Sequence, residues 1–364
     1  MYIHHYTPNT PLKNPYTPYI HHCRYARRLH QRTQVGEVDS TGLVNTSRGR
    51  HIVAWDPPPT KDMFVNNAHT SVCNSWAALG LTALAEMAAA AGDPGGNASA
   101  YAAEAAGITH AMATTMWDTR NTRYCDGPCE DPTVNGHGGV TTNYFTLYAG
   151  LVPAEATAAV SRQLAAFGLN RIGDYGSYVF LSALARYTDD DGTAVIDALT
   201  KCDADSWCHE IRAFNATMTT ESLGTPHATM SHPWGTAAIG AIAHGVMGVQ
   251  QTAPAWATFA VKPRLGGHLT SANMTVPTIR GPIVVAARPG WLSVAVPCNT
   301  RATLCVQQQR EDPTGGGGET ADAAEPQLLL DGELVQATAT GRHWCTSEAV
   351  GCATAPRVLS AANP

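Results

Sequence analysis

Residues 217–235 read Thr217-Met-Thr-Thr-Glu221-Ser-Leu-Gly-Thr-Pro-His227-Ala-Thr-Met-Ser231-His232-Pro-Trp234-Gly235, and an apolar run from Ala237 to Val249 follows. The stretch sets one carboxylate, one imidazole and one indole just ahead of a segment with the character of a buried helix. Those three side-chain types, facing a closed cavity, are what acid–base chemistry on a sugar draws on. Each also has a plainer use. Thr217 and Glu221 resemble an imperfect capping box, His232 can serve as a core histidine on a backbone carbonyl, and Trp234 can simply pack.

Upstream of this stretch the hydrophobic period is helical. Trp76, Leu79, Ala83, Leu84 and Met87 form one predicted apolar stripe, closed by the turn at Gly92-Asp-Pro-Gly-Gly96. Tyr101, Ala105, Ile108, Met112 and Met116 form a second. Pro153 opens a third helix and Gly168 closes it. Further helices are predicted at 174–187, 192–201 and 234–249. Short linkers and alanine-rich contact positions give an antiparallel helical array, and no dinucleotide-type glycine fingerprint follows a strand.

Downstream the period changes. Runs at 275–279, 283–287, 292–296 and 303–306 are short, β-prone and split by Gly, Pro and Asn. Residues 328–330, 333–338 and 343–345 add strands around an Asp331-Gly332 turn. The expected organisation is an irregular segment over 1–40, a helical domain over 41–257, and a small β-sandwich over 258–364 with a mobile loop at 307–327. Tyr-Ile-His-His occurs at 2–5 and again at 19–22, with prolines between, and supports no fold of its own.

The chain has 364 residues, 14% of them charged, and a formal net charge of −6. Its basic cluster, Arg24, Arg27, Arg28 and Arg32, is too small for a phosphate-binding face, so no nucleic-acid partner is expected. No apolar run reaches the roughly 18 residues of a membrane span. Eight of ten cysteines fall into close pairs: Cys125/Cys129, Cys202/Cys208, Cys298/Cys305 and Cys345/Cys352. Each pair reads as a local disulfide that staples a short loop for roughly 2 kcal/mol. Zinc would want two-residue spacings in matched pairs, which these lack. Cys23 and Cys73 are left over. Four disulfides place the chain in an extracellular or secretory setting, with which the Asn-x-Ser/Thr sites at Asn45, Asn97, Asn215 and Asn273 agree. Residues 1–22 carry no signal-peptide core. His69, His110, His137 and His244 stand at no ligand-like spacing, and no metal or cofactor is expected.

Taken in order, the motifs resemble the bacterial and fungal α-L-rhamnosidase family over roughly residues 50–306. Trp55-Asp-Pro and Lys61-Asp62-Met-Phe64 ahead of a helix near Asn74 look like its Trp-Pro … Arg-Asp-Gly-Tyr element. Asp126-Gly127, Gly150-Leu-Val-Pro153, Asp205-Ser-Trp207, Thr217–Glu221 and Ser231–Gly235 follow in the family's order. So do Lys262-Pro263, Val276-Pro-Thr-Ile-Arg-Gly-Pro282 and Val296-Pro-Cys-Asn299, the start of a C-terminal β-sandwich. The resemblance implies an (α/α)6 barrel with a β-sandwich and inversion at the sugar. It assigns Glu221 as general base, and Trp55, Asp62, His232 and Trp234 as contacts to a rhamnose-bearing glycoside or polysaccharide.

Two departures matter. Lys61 stands where the family has arginine, which removes a bidentate fork. The family's acidic Asp-Glu-Arg segment, which carries the general acid, has no counterpart here, since residues 1–50 hold only Glu37 and Asp39 as acids. Inversion needs two carboxyl groups roughly 6.5–9.5 Å apart. Either the chain is a fragment lacking the acid, or Asp56, Asp62 or Asp126 supplies it. A second reading follows: a non-catalytic carbohydrate-binding or scaffold protein on a degenerate barrel.

Overall fold

The computed structural model describes residues 38–45, 67–93, 95–169, 172–188, 192–220, 223, 231–308 and 328–361. Trp55, Asp62, Glu221, Cys23, the Tyr-Ile-His-His repeats and residues 309–327 of the expected loop lie outside them. Among the described residues are eight α-helices followed by a β region. The chain divides into two compact units, 1–154 and 155–364.

In the first unit, α1 (Ser71–Ala90) packs along α2 (Asn97–Thr115). Thr70 caps α1 by accepting from the Cys73 N–H. The α2 stripe is as expected: Tyr101, Ala105, Ile108, Met112 and Met116 are all buried. The α1 stripe is not. Trp76 is 47% exposed and Met87 51%, while the buried face runs through Val72, Ala77, Ala78, Leu81, Leu84 and Ala88. Alanine lets two helices approach closely, so small residues took much of the interface, Leu84 of the expected stripe stayed within it, and Trp76 and Met87 were left outside. Trp76 instead meets the ring edges of Phe145 and Tyr148 on α3 (Val140–Tyr148). Between α2 and α3 lies a two-rung ribbon of β1 (Trp117–Asp118) and β2 (Arg123–Tyr124), closed off by the Cys125–Cys129 disulfide.

The second unit begins with α4 (Ala154–Phe167), which Gly168 terminates in the left-handed region at φ 68°. The predicted helix at 174–187 is α5 (Asp174–Tyr187), followed by α6 (Thr193–Thr200) and α7 (Trp207–Phe214). The expected helix over 234–249 is broken into three pieces: a 3-10 turn at Pro233–Thr236, α8 (Ala237–Gly240) and a π turn at Ala241–Val246. Two glycines set its fit against α5. A Cβ on Gly245 would stand 2.8 Å from the Ala185 Cβ, and one on Gly240 3.2 Å from the Tyr178 ring.

The β region starts at β3 (Val249–Gln251), which pairs with β4 (Thr258–Val261). Then follow β5 (Ala272–Val276), β6 (Ile283–Arg288), β7 (Trp291–Ala295), β8 (Arg301–Gln307), β9 (Leu328–Leu330), β10 (Glu333–Val335), β11 (Ala337–Thr340), β12 (His343–Thr346) and β13 (Arg357–Ala361). They form a six-stranded sheet in the order β10-β9-β13-β7-β6-β5 and a five-stranded one in the order β11-β12-β8-β4-β3. Asp331 and Gly332, at φ 53° and 88°, make the tight β9–β10 turn as expected. Alternation buries Ile283, Val285 and Ala287 of β6, and Leu292 and Val294 of β7.

Two disulfides differ from expectation. Cys125–Cys129 and Cys202–Cys208 form as local staples, but the other four cysteines pair as Cys298–Cys352 and Cys305–Cys345. The cause is the strand between Cys298 and Cys305. Extended chain advances roughly 3.3 Å per residue, which soon exceeds the roughly 7 Å Cα reach of a disulfide. Sheet register supplies the alternative, because Cys305 of β8 lies directly opposite Cys345 of β12 with Cα atoms 4.0 Å apart. Cys73 is a free cysteine. Among the described residues, no helix is long and apolar enough to cross a membrane.

Candidate active site

The signature stretch is held together by its own backbone. Thr219 and His232 face each other: the His232 N–H donates to the Thr219 carbonyl at 3.0 Å, and the Thr219 hydroxyl donates to the His232 carbonyl at 2.7 Å. Beyond His232 the chain turns through Pro233–Thr236, with the Gly235 N–H on the His232 carbonyl at 3.1 Å. Gly235 is required by proximity. A Cβ there would lie 2.6 Å from the Thr219 Cβ and 3.1 Å from the Thr220 carbonyl oxygen. The Ser-His-Pro-Trp-Gly element thus fits against Thr219 and Thr220 with no room for a side chain at its last position.

Helix α7 supports this pair. Ser206 caps it, its hydroxyl accepting from the His209 N–H, and the Cys202–Cys208 disulfide anchors its first turn. The Trp207 ring N–H donates to the Gly235 carbonyl at 2.7 Å. Trp207 of the Asp205-Ser-Trp207 motif therefore has a polar task. Three residues on, Glu210 is 2% exposed and accepts a hydrogen bond from the Thr220 hydroxyl. Burial pushes the Glu210 carboxyl above its usual range, while the bonds from Thr220 pull the other way. Sequence reading missed Glu210. Its only signal was an acid on a short helix between Asp205-Ser-Trp207 and Thr217–Glu221.

Of the predicted site residues, His232 is half-buried within the clamp, and Trp234 lies in the 3-10 turn directly after it. Glu221 follows Thr220, which is 1% exposed, but itself lies outside the described residues, as do Trp55 and Asp62. Asp126, an alternative acid, is fully buried. One of its oxygens accepts from His137 Nδ1 at 2.7 Å; the other accepts from the Gly139 N–H at 2.9 Å and the Thr142 hydroxyl at 2.6 Å. These bonds engage both carboxylate oxygens with partners inside the fold. It ties the β2 end to the first turn of α3 instead.

Comparison with known proteins agrees with this architecture. The model of the bacterial α-L-rhamnosidase six-hairpin glycosidase domain matches residues 3–244, and that of the bacterial α-L-rhamnosidase C-terminal domain matches 248–321. Among solved structures, the α-L-rhamnosidase from Dictyoglumus thermophilum aligns over 95% of this chain and 36% of its own, with TM-score 0.66 and 14% identity. The Streptomyces avermitilis α-L-rhamnosidase complexed with L-rhamnose aligns over 95% and 30%, with TM-score 0.62 and 17% identity. The Aspergillus terreus enzyme aligns over 78% and 34%, with TM-score 0.61 and 20% identity. The chain thus spans about a third of the length of the solved structures it resembles. A search of curated protein sequences gave no match.

Proposed function

Because this chain belongs to the bacterial α-L-rhamnosidase family, we propose that it carries the base side of an inverting α-L-rhamnosidase site, with Glu221 as general base. Glu221 takes a proton from a water molecule as that water attacks the anomeric carbon of a terminal rhamnosyl group. His232, Trp234, Trp55 and Asp62 hold the sugar, the indoles by stacking on its apolar face. The leaving oxygen needs a proton from a second carboxyl group, and the bonds that saturate Asp126 weigh against that residue. The substrate class is a rhamnose-bearing glycoside or polysaccharide.

The observation that carries this reading is the paired clamp of Thr219 on His232. It holds Thr219, two residues before Glu221 in sequence, against the Ser-His-Pro-Trp-Gly turn, and preorganisation of that kind is what a base working on one water requires. Secretion is part of the proposal: four disulfides support an oxidising compartment, and Asn215 and Asn273 are exposed acceptors for glycans.

The test is hydrolysis of an aryl α-L-rhamnoside beside calorimetric titration with L-rhamnose. Glu221→Gln is expected to lose about 100- to 10,000-fold in turnover while still binding rhamnose. Undiminished turnover in that variant removes Glu221 from the mechanism. Rhamnose binding by the unaltered chain with no hydrolysis selects the carbohydrate-binding reading instead.

A further inference from the structure

Trp207 and Glu210 stand three residues apart on α7 and so share a face of the helix. From that face Trp207 holds Gly235 and Glu210 holds Thr220, so each arm of the clamp is tied to the helix. Thr220 is covalently joined to Glu221. We propose that Glu210 is a positioning residue for Glu221: by fixing Thr220 it sets the direction in which the base leaves the clamp. This rests on the reading of Glu221 as base.

The helix does not need Glu210 for its own sake. Its N-terminal cap is Ser206, and its last turn ends on Asn215 in the left-handed region, whose N–H bonds the Glu210 backbone carbonyl. The side chain is free of that duty. A buried carboxyl is costly unless it is bonded, and among the described residues it forms no ion pair. An apolar residue would fill such a place at lower cost in stability. What a carboxyl adds is a directional acceptor for the Thr220 hydroxyl. The same tether restrains the last residue before the base, where a small rotation would be passed on to the carboxylate. Displacement of a reacting group by about 1 Å is enough to cost on the order of 100-fold in rate.

Three variants separate positioning from plain packing. Glu210→Ala removes the acceptor, Glu210→Gln keeps it without the charge, and Thr220→Val removes the donor while holding the shape. Steady-state hydrolysis of the aryl rhamnoside is measured together with hydrogen exchange of the 217–223 peptide. Glu210→Ala and Thr220→Val should lower kcat about 10- to 100-fold with KM changed less than about 3-fold, and should speed exchange in that peptide. Glu210→Gln should restore most of the lost rate and the protection. If Glu210→Ala fails to fold, Thr220→Val decides alone. Unchanged exchange in Thr220→Val, or equal rate losses in Glu210→Ala and Glu210→Gln, overturns the proposal. Full turnover in Glu221→Gln overturns the base reading and this role together. Loss in Glu221→Gln with unchanged exchange in the Thr220 and Glu210 variants overturns this role only.

Discussion

Among the described residues two carboxylates are buried, one in each unit. Asp126, in the first unit, is saturated: an imidazole, a backbone N–H and a hydroxyl all donate to it, and the elements it joins are the start of α3 and the end of β2. Glu210, in the second unit, is almost as buried but has Thr220 as its hydrogen-bond donor, and its carboxyl is raised by burial. A carboxylate with both oxygens bonded and three donors around it serves the fold. One held at a cost, beside a segment that carries a candidate base, points to chemistry. The two cases show that the supply of donors separates them where depth of burial does not.

The largest expected effect tests the saturated case. Asp126→Ala strands the Gly139 N–H and the Thr142 hydroxyl and should destabilise the chain by about 3–5 kcal/mol in urea titration. A loss below about 1 kcal/mol would break the contrast, because Asp126 would then be dispensable. His343 extends the comparison to the β region. It is buried on the Pro263 carbonyl at 2.6 Å, and burial, with Lys262 and Arg264 nearby, lowers its pKa from 6.5 to about 4. Above pH 6.5 its contribution is constant. As pH falls from 6.5 to 4 the unfolded chain takes up a proton that the folded chain resists, so stability drops, by about 3 kcal/mol in all. His343→Gln should flatten that limb of the stability curve; an unchanged acid slope would show that other groups set it.

A smaller effect belongs to the clamp. Gly235→Ala drives a methyl into Thr219 and should cost about 1–3 kcal/mol, with loss of turnover larger than the loss of folded protein. The smallest concerns Glu210 itself. Its folded-state pKa is raised, so its stabilising contribution is complete at low pH and is lost as pH rises through that pKa. Glu210→Gln carries no such charge. The stability difference between variant and parent should therefore move in the variant's favour from pH 4 upward; movement the other way would mean that Glu210 is better satisfied than its neighbours suggest.

How far the sequence could be read follows the same division. The α2 stripe was legible because large apolar residues recur at helical spacing with nothing to confuse them. The α1 stripe misled, since alanines and buried polar residues occupy the true interface. Ser71 reaches the Cys125 carbonyl and Asn74 exchanges bonds with Val44, arrangements that no hydrophobic pattern encodes. Cysteine spacing revealed the two staples inside turns and failed where pairing depends on which strands lie side by side. The order of the motifs around the clamp was legible. Glu210 was not, because its meaning comes from a contact ten residues away with Thr220.

The nested pairing in the β region makes one ring inside another, Cys305–Cys345 within Cys298–Cys352. Any single peptide bond cut between Cys305 and Cys345 leaves both halves of the chain tied by two covalent links. A protease that nicks residues 309–327 would therefore release nothing. The cleaved protein should run as one species on a non-reducing gel and separate into two fragments only after a thiol is added.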